Sequence, residues 1–215
     1  MPFNCFTTPV PPDYLCDESR KNGSAIAIAF PKSVDELTAA LKEMLPHNLP
    51  LTVQGSRTGI AAGAVPEGGL IINLSRMDAI LGPGTDTAAP PTVRVQPGVS
   101  LVALRRHLTT AFPAHLFTPD PTETSASIGG MVACNASGAC SFAYGPTRTH
   151  VEALTVVLAD GDTLTLRRGH DKADGNRFSL TTDGGRLISG ELPHIHMPTV
   201  KNSAGYWVKP DMDLL

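Results

Sequence analysis

Apolar runs in this chain are short, and glycine and proline punctuate them throughout. The sequence holds 20 glycines and 19 prolines in 215 residues, where about 26 of the two together would be average. Residues 25–30, among the longest apolar runs, are strand-sized and far below the ~20 residues of a membrane helix. With aromatics at 5%, this pattern predicts short strands joined by shaped loops. It excludes long helical bundles and aromatic platforms for nucleic acid. A net charge of −3 without any run of like charge excludes electrostatic capture of nucleic acid or anionic membrane as the main activity.

The four cysteines, Cys5, Cys16, Cys134 and Cys140, form no Cys-x-x-Cys pair, and no histidine stands at zinc-finger spacing from them. They are expected to be reduced thiols, with Cys134 and Cys140 serving as small packing residues. The start carries prolines at positions 2, 9, 11 and 12 and has no basic stretch followed by an apolar one, so it is no secretory signal. A cytoplasmic protein without a transmembrane segment is expected.

Along the chain, residues 25–30 form a buried strand. Ser33 and Glu36 make a capping box, and Val34, Leu37, Leu41 and Met44 follow at helical spacing until Pro46 and Pro50. Strands over 51–53 and 70–74 complete a small parallel βαβ unit. Residues 82–91 are read as a connector. A strand over 92–95 leads to a helix capped by Ser100, with Leu101, Leu104 and Leu108 on one face. Residues 117–145 are read as loop. Asp160-Gly161 between β-branched runs predicts a hairpin of 154–159 with 163–166. Residues 167–177 are read as an exposed loop, followed by short strands over 178–180 and 186–188. His194 and His196 lack a third ligand nearby and are read as surface or core histidines; no metal site is assigned.

Two glycine-rich loops carry the chemistry. The first places Gly55, Gly59 and Gly63 after a strand, with Ser56 and Thr58 between them. It matches neither Gly-x-Gly-x-x-Gly nor a P-loop. It is either an anion cradle, in which positive φ and missing β-carbons let backbone N–H groups converge on a diphosphate, or an irregular turn. The second, residues 119–138, contains Ser127-Ile-Gly-Gly130 and Asn135-Ala-Ser-Gly138. Its small residues either admit an extended ligand or pack two subdomains together.

Residues 52–66, Thr-Val-Gln-Gly-Ser-Arg-Thr-Gly-Ile-Ala-Ala-Gly-Ala-Val-Pro, resemble the pyrophosphate loop of FAD-linked oxidases of the vanillyl-alcohol-oxidase type. Residues 119–138, continued by Tyr144-Gly-Pro-Thr-Arg148 and Val157-Leu-Ala-Asp-Gly161, resemble the second FAD segment of that family. Lys201-Asn-Ser-Ala-Gly-Tyr-Trp207 is similar to a stretch of its glycolate oxidase and D-lactate dehydrogenase branch. The resemblance implies an α+β, two-lobed PCMH-type FAD-binding domain over residues 25–215 after an N-terminal extension, 1–24. A small βαβ lobe would cover about 25–81, and a larger lobe with antiparallel sheet about 92–215.

It further implies cofactor contacts from Gln54, Gly55, Ser56, Arg57, Thr58, Gly59 and Gly63. Others would come from Pro119, Asp120, Pro121, Thr122, Ser127, Ile128, Gly129, Gly130, Ala133, Asn135, Ala136, Ser137 and Gly138, with Tyr144 and Gly145. Covalent members carry a flavin-linking histidine in the first loop, where this chain has Ser56, Arg57 and Thr58, so non-covalent FAD is expected. Family loops often read Arg-Gly-Gly-Gly-Thr-Gly; here Gln54 and Arg57 depart from that, and Arg57 either pairs with a phosphate or points to solvent. The implied reaction is oxidation of a D-2-hydroxy acid of the lactate or glycolate class, with electrons passing to a quinone, cytochrome or electron-transfer flavoprotein. The substrate domain is expected to be absent and no catalytic residue is assigned, so the alternative is a non-catalytic FAD-binding subunit or fragment.

Overall fold

Ser33 opens the first helix as its periodicity predicts. The computed structural model describes residues 4–84, 91–120, 123–200 and 206–215. In it the Ser33 side chain accepts from the Glu36 amide at 3.2 Å, while the Glu36 carboxylate returns to the Lys32 amide at 2.8 Å, one residue before the reciprocal bond of a capping box. The helix, α1 (Val34–Met44), joins strand β1 (Ala27–Ala29) to β2 (Leu51–Gln54). With β3 (Leu70–Asn73) these form a parallel sheet in the order β1-β3-β2. Strand β3 is buried along its whole length, which its apolar run requires of a central parallel strand. Ala40, Leu41 and Met44 of α1 pack on Ala27, Ala29, Leu70 and Ile72.

The chain before residue 25 is built into this lobe. Phe6 lies in the same core. Thr7 exchanges backbone hydrogen bonds with Ile28 at 2.8 and 3.1 Å, adding a rung on the free edge of β1. Glu43 of α1 accepts from the Asn4 and Cys5 amides.

The second lobe begins with β4 (Ile80–Pro83), antiparallel to β5 (Val93–Val95). Strand β4 runs into the segment read as a connector. Helix α2 (Leu101–Ala111), capped by Ser100, buries Leu101 and Leu104 against Val99, Ala126, Ile128 and Met131. Within the segment read as loop stand two short helices, α3 (Ile128–Ala133) and α4 (Ser141–Tyr144). Two antiparallel hairpins follow: β6 (Ala153–Val157) with β7 (Thr163–Arg167), and β8 (Arg177–Thr181) with β9 (Leu187–Glu191). The first turns at Gly161, φ 84°. The architecture is α+β, as expected, with parallel strands first and antiparallel ones after.

Residues 167–177 are more constrained than a free loop. Ala173 is buried and its amide bonds to Met212 O at 2.9 Å, and the Gly169 amide bonds to the Asp213 carboxylate at 2.8 Å. Among the described residues no helix is long and apolar enough to cross a membrane.

Asp162 links the two hairpins, its Oδ1 accepting from the Thr163 and Gly184 amides at 2.8 and 3.0 Å. The Thr182 hydroxyl is the main influence holding its carboxyl below the ordinary 3.8; desolvation opposes this, and the two amides and Arg186 add to it. A carboxyl depressed in the folded state stabilises fully above its ordinary value and loses that contribution as the pH falls through the lowered one. Urea midpoints should therefore separate Asp162→Asn from the wild type at neutral pH and converge as the pH falls below 3.8. Phe6→Ala should cost about 3–5 kcal/mol in the same assay, since the N-terminal strip shares the core.

Candidate functional site

Strand β2 ends in Gln54, whose fully buried side chain closes the first glycine-rich loop. Its Nε2 donates to Tyr14 O and Ala64 O, both at 2.8 Å, and its Oε1 accepts from Asn73 Nδ2 at 3.2 Å. Asn73 also reaches Gly55 O at 3.3 Å. The Gln54 side chain thus holds the loop instead of facing a ligand. One side chain satisfies two carbonyls on opposite flanks, so the loop closes without a ladder of its own. Its backbone N–H groups over residues 56–63, including Ser56, Thr58 and Gly59, bond to no acceptor among the described residues. These are strong donors, and facing solvent they are free to exchange water for the oxygens of a ligand.

The glycines in this loop leave room but do not supply the positive φ the sequence suggested. The left-handed residues are Arg57 (φ 59°) and Ala62 (φ 61°), while Gly55, Gly59 and Gly63 do not have positive φ. At Gly59 and Gly63 a β-carbon would meet nothing within 4 Å, so both face open space. At Gly55 a β-carbon would overlap the Ser127 hydroxyl. This contact joins the two glycine-rich segments along one seam.

Across the seam the second segment behaves differently. Its amides already have partners: Ile128 N bonds to Val99 O at 2.8 Å, Gly129 N to Pro97 O at 2.8 Å, and Gly130 N to Ser127 Oγ at 3.3 Å. A β-carbon at Gly129 would lie 2.6 Å from Pro97 Cβ. Small residues here dock backbone on backbone; they do not offer an array of open amides. Pro119 is buried, and Asp120 is held by Arg105 of α2 at 2.8 Å, which also donates to Pro119 O at 3.1 Å. Pro121 and Thr122 lie outside the described residues.

At the end of α3, Ala133 and the C-cap Cys134 are exposed, so Cys134 is not the packing residue expected. Cys140 is half-buried, its Sγ 3.9 Å from Asp120 Oδ2. Asn135 adopts φ 45° and accepts from the Arg148 amide at 3.1 Å, and Ala136 O accepts from the Thr147 hydroxyl at 2.7 Å. Half-buried Ser137 leads to Gly138, whose amide bonds to Ser141 Oγ at 2.9 Å. Tyr144 is exposed, and Gly145 takes φ 84° against Thr149. The Lys201-Asn-Ser-Ala-Gly part of the third motif is outside the described residues.

The sequence reading missed several supporting residues. His150 Nε2 lies 3.0 Å from Tyr144 O and 3.1 Å from Thr118 Oγ1. Because the carbonyl only accepts, Nε2 carries the proton, and the histidine ties Thr118, just before the second segment, to Tyr144 in its continuation. Asn73, a polar residue closing the buried run Leu-Ile-Ile, left a readable signal; Tyr14, Arg105 and His150 left none.

The arrangement suits an extended ligand with an anionic middle: donors without partners, glycines that leave room before them, and exposed Ile60 among them. The seam is testable through Gly55→Ala, which should destabilise the chain by about 1–3 kcal/mol through overlap. Ser127→Ala alone should cost about 1 kcal/mol as a lost helix cap. The double variant should be more stable than the sum of the two, because the added carbon would then meet Ser127 Cβ at an ordinary 3.5 Å. Denaturant unfolding of the four proteins reads this coupling directly.

Residues 25–167 match the FAD binding domain family, more than half of the chain. A D-lactate dehydrogenase of Anaerostipes hadrus is 38% identical over 180 residues, covering 82% of this chain and 35% of that protein. The glycolate oxidase subunit GlcD of Escherichia coli strain K12 is 33% identical over 171 residues, covering 78% and 33%. Among solved structures, a xylooligosaccharide oxidase from Myceliophthora thermophila C1 superposes with a TM-score of 0.65 at 22% identity, over 75% of this chain and 34% of that one, a likeness of fold alone. The chain spans about a third of the length of the curated relatives it matches. With two glycine-rich segments meeting at one seam and a sequence match running through both, this chain belongs to the FAD binding domain family.

Proposed function

We propose that this chain holds FAD non-covalently and forms the cofactor part of a flavin-dependent dehydrogenase acting on a D-2-hydroxy acid of the lactate or glycolate class. The observation that carries the reading is the run of unpartnered N–H groups over residues 56–63 beside the Gly55–Ser127 contact. A diphosphate is the part of FAD that such donors bind best. When bound, FAD supplies the two-electron acceptor that no amino-acid side chain provides.

This chain's own residues bind and orient. Gln54 and Asn73 keep the loop open, Ser56 and Thr58 add hydroxyl donors, and the segment from Pro119 to Gly138 lies along the seam, anchored by Arg105 and His150. No histidine stands among residues 54–65, which favours non-covalent attachment. In this reading the substrate is the hydroxy acid and the electron acceptor a quinone, cytochrome or electron-transfer flavoprotein. The four free thiols suit a cytoplasmic location. The share of its relatives that the chain spans favours a second reading, a flavin-holding piece that turns nothing over by itself.

Titration of the purified chain with FAD, followed by acid precipitation, tests this. It should take up one equivalent, release it fully to the supernatant on precipitation, and bleach with dithionite. Bleaching with D-lactate as well would mark a complete dehydrogenase; bleaching by dithionite alone would mark the flavin-holding piece. A chain that stays colourless in excess FAD would defeat both.

A further inference from the structure

Arg57 stands where loops of the resembling family often carry glycine, and it adopts the left-handed backbone, φ 59°, that favours glycine. Its guanidinium carbon lies 4.3 Å from the centroid of the Tyr14 ring. Tyr14 meets Phe30 edge-on, centroids 5.1 Å apart, and its carbonyl receives Gln54 Nε2. The Arg57 carbonyl accepts from the Glu18 amide at 3.3 Å. The strip before residue 25 therefore grips the loop from both the ring and the backbone, although it lies outside the stretch that matches the family.

Among the described residues no carboxylate pairs with Arg57, and its guanidinium donates to no acceptor. A guanidinium stacked on an aromatic face has its plane fixed while its N–H edge stays available, and that edge matches the oxygens of a phosphate. It sits within the same run of backbone donors that lack partners. We propose that Arg57, racked on Tyr14, is the charged arm that grips the cofactor's diphosphate, and that the N-terminal strip is thereby part of the cofactor site. This rests on the FAD reading above and adds to it a cation and a platform particular to this chain.

The test compares FAD dissociation constants and apo melting temperatures for the full chain and for Arg57→Gly, Tyr14→Leu and Tyr14→Phe, at low and high salt. Arg57→Gly should bind FAD about tenfold more weakly, lose most of the salt dependence of binding, and melt in the apo state at or above the wild-type temperature, since glycine suits that φ. Tyr14→Phe should bind FAD as the wild type does. Tyr14→Leu should weaken binding, and adding it to Arg57→Gly should weaken it no further. Wild-type affinity in Arg57→Gly would overturn the proposal while leaving the FAD reading intact. Weakened affinity with unchanged salt dependence and a lowered apo melting temperature would also overturn it, by making Arg57 a clamp only. A wild-type chain that binds no FAD would overturn both readings.

Discussion

The structure depends on a contact that only glycine permits. Gly55, at the end of a parallel strand in the first lobe, lies against the hydroxyl of Ser127 in the second, and no β-carbon fits between them. That hydroxyl also accepts from the Gly130 amide at the start of α3, so one side chain sets the helix and receives the loop. The seam continues at Gly98, where a β-carbon would overlap Leu74 O and lie 2.7 Å from Met77 O. Glycines at these positions serve close approach between lobes, and the strands of the first lobe are brought to the second without intervening side chains.

The loop beyond Gly55 stays open for a related reason. Backbone donors need partners, and most turns satisfy them internally. Here the Gln54 and Asn73 side chains, donating from inside the core, satisfy the carbonyls Tyr14 O, Ala64 O and Gly55 O in place of the loop's own N–H groups. The loop is closed at its base by side chains, and its N–H groups over residues 56–63 are left without a partner among the described residues. Buried polar groups so fully satisfied also fix a single geometry, which a site for an extended anion requires.

Periodicity made the first lobe legible before any coordinates. Val34, Leu37, Leu41 and Met44 announced α1, and the uninterrupted Leu-Ile-Ile run announced a central strand. Asp160-Gly161 likewise announced the first hairpin. Strand β4 was hidden because Gly82 and Pro83 read as turn formers; Gly82 takes φ 101° beside a register shift, so the strand bends there without ending. Helix α3 was hidden because Gly129 and Gly130 have poor helix propensity. Its amides are held instead by the distant carbonyls of Val99 and Pro97 and by the cap Ser127. In the candidate site, the two segments were legible as patterns of small residues, but the division of labour between them was not. Whether a glycine turns the chain, clears space or lets another segment approach depends on what lies opposite it, and that is a tertiary fact.

Amide hydrogen exchange of the full chain with and without FAD tests the central claim most directly. The account predicts that peptides covering residues 56–63, fast-exchanging in the apo chain, become protected on FAD binding, while the amides of Ile128 and Gly129, already bonded to Val99 and Pro97, change little. FAD binding that leaves residues 56–63 exchanging at the apo rate would contradict it.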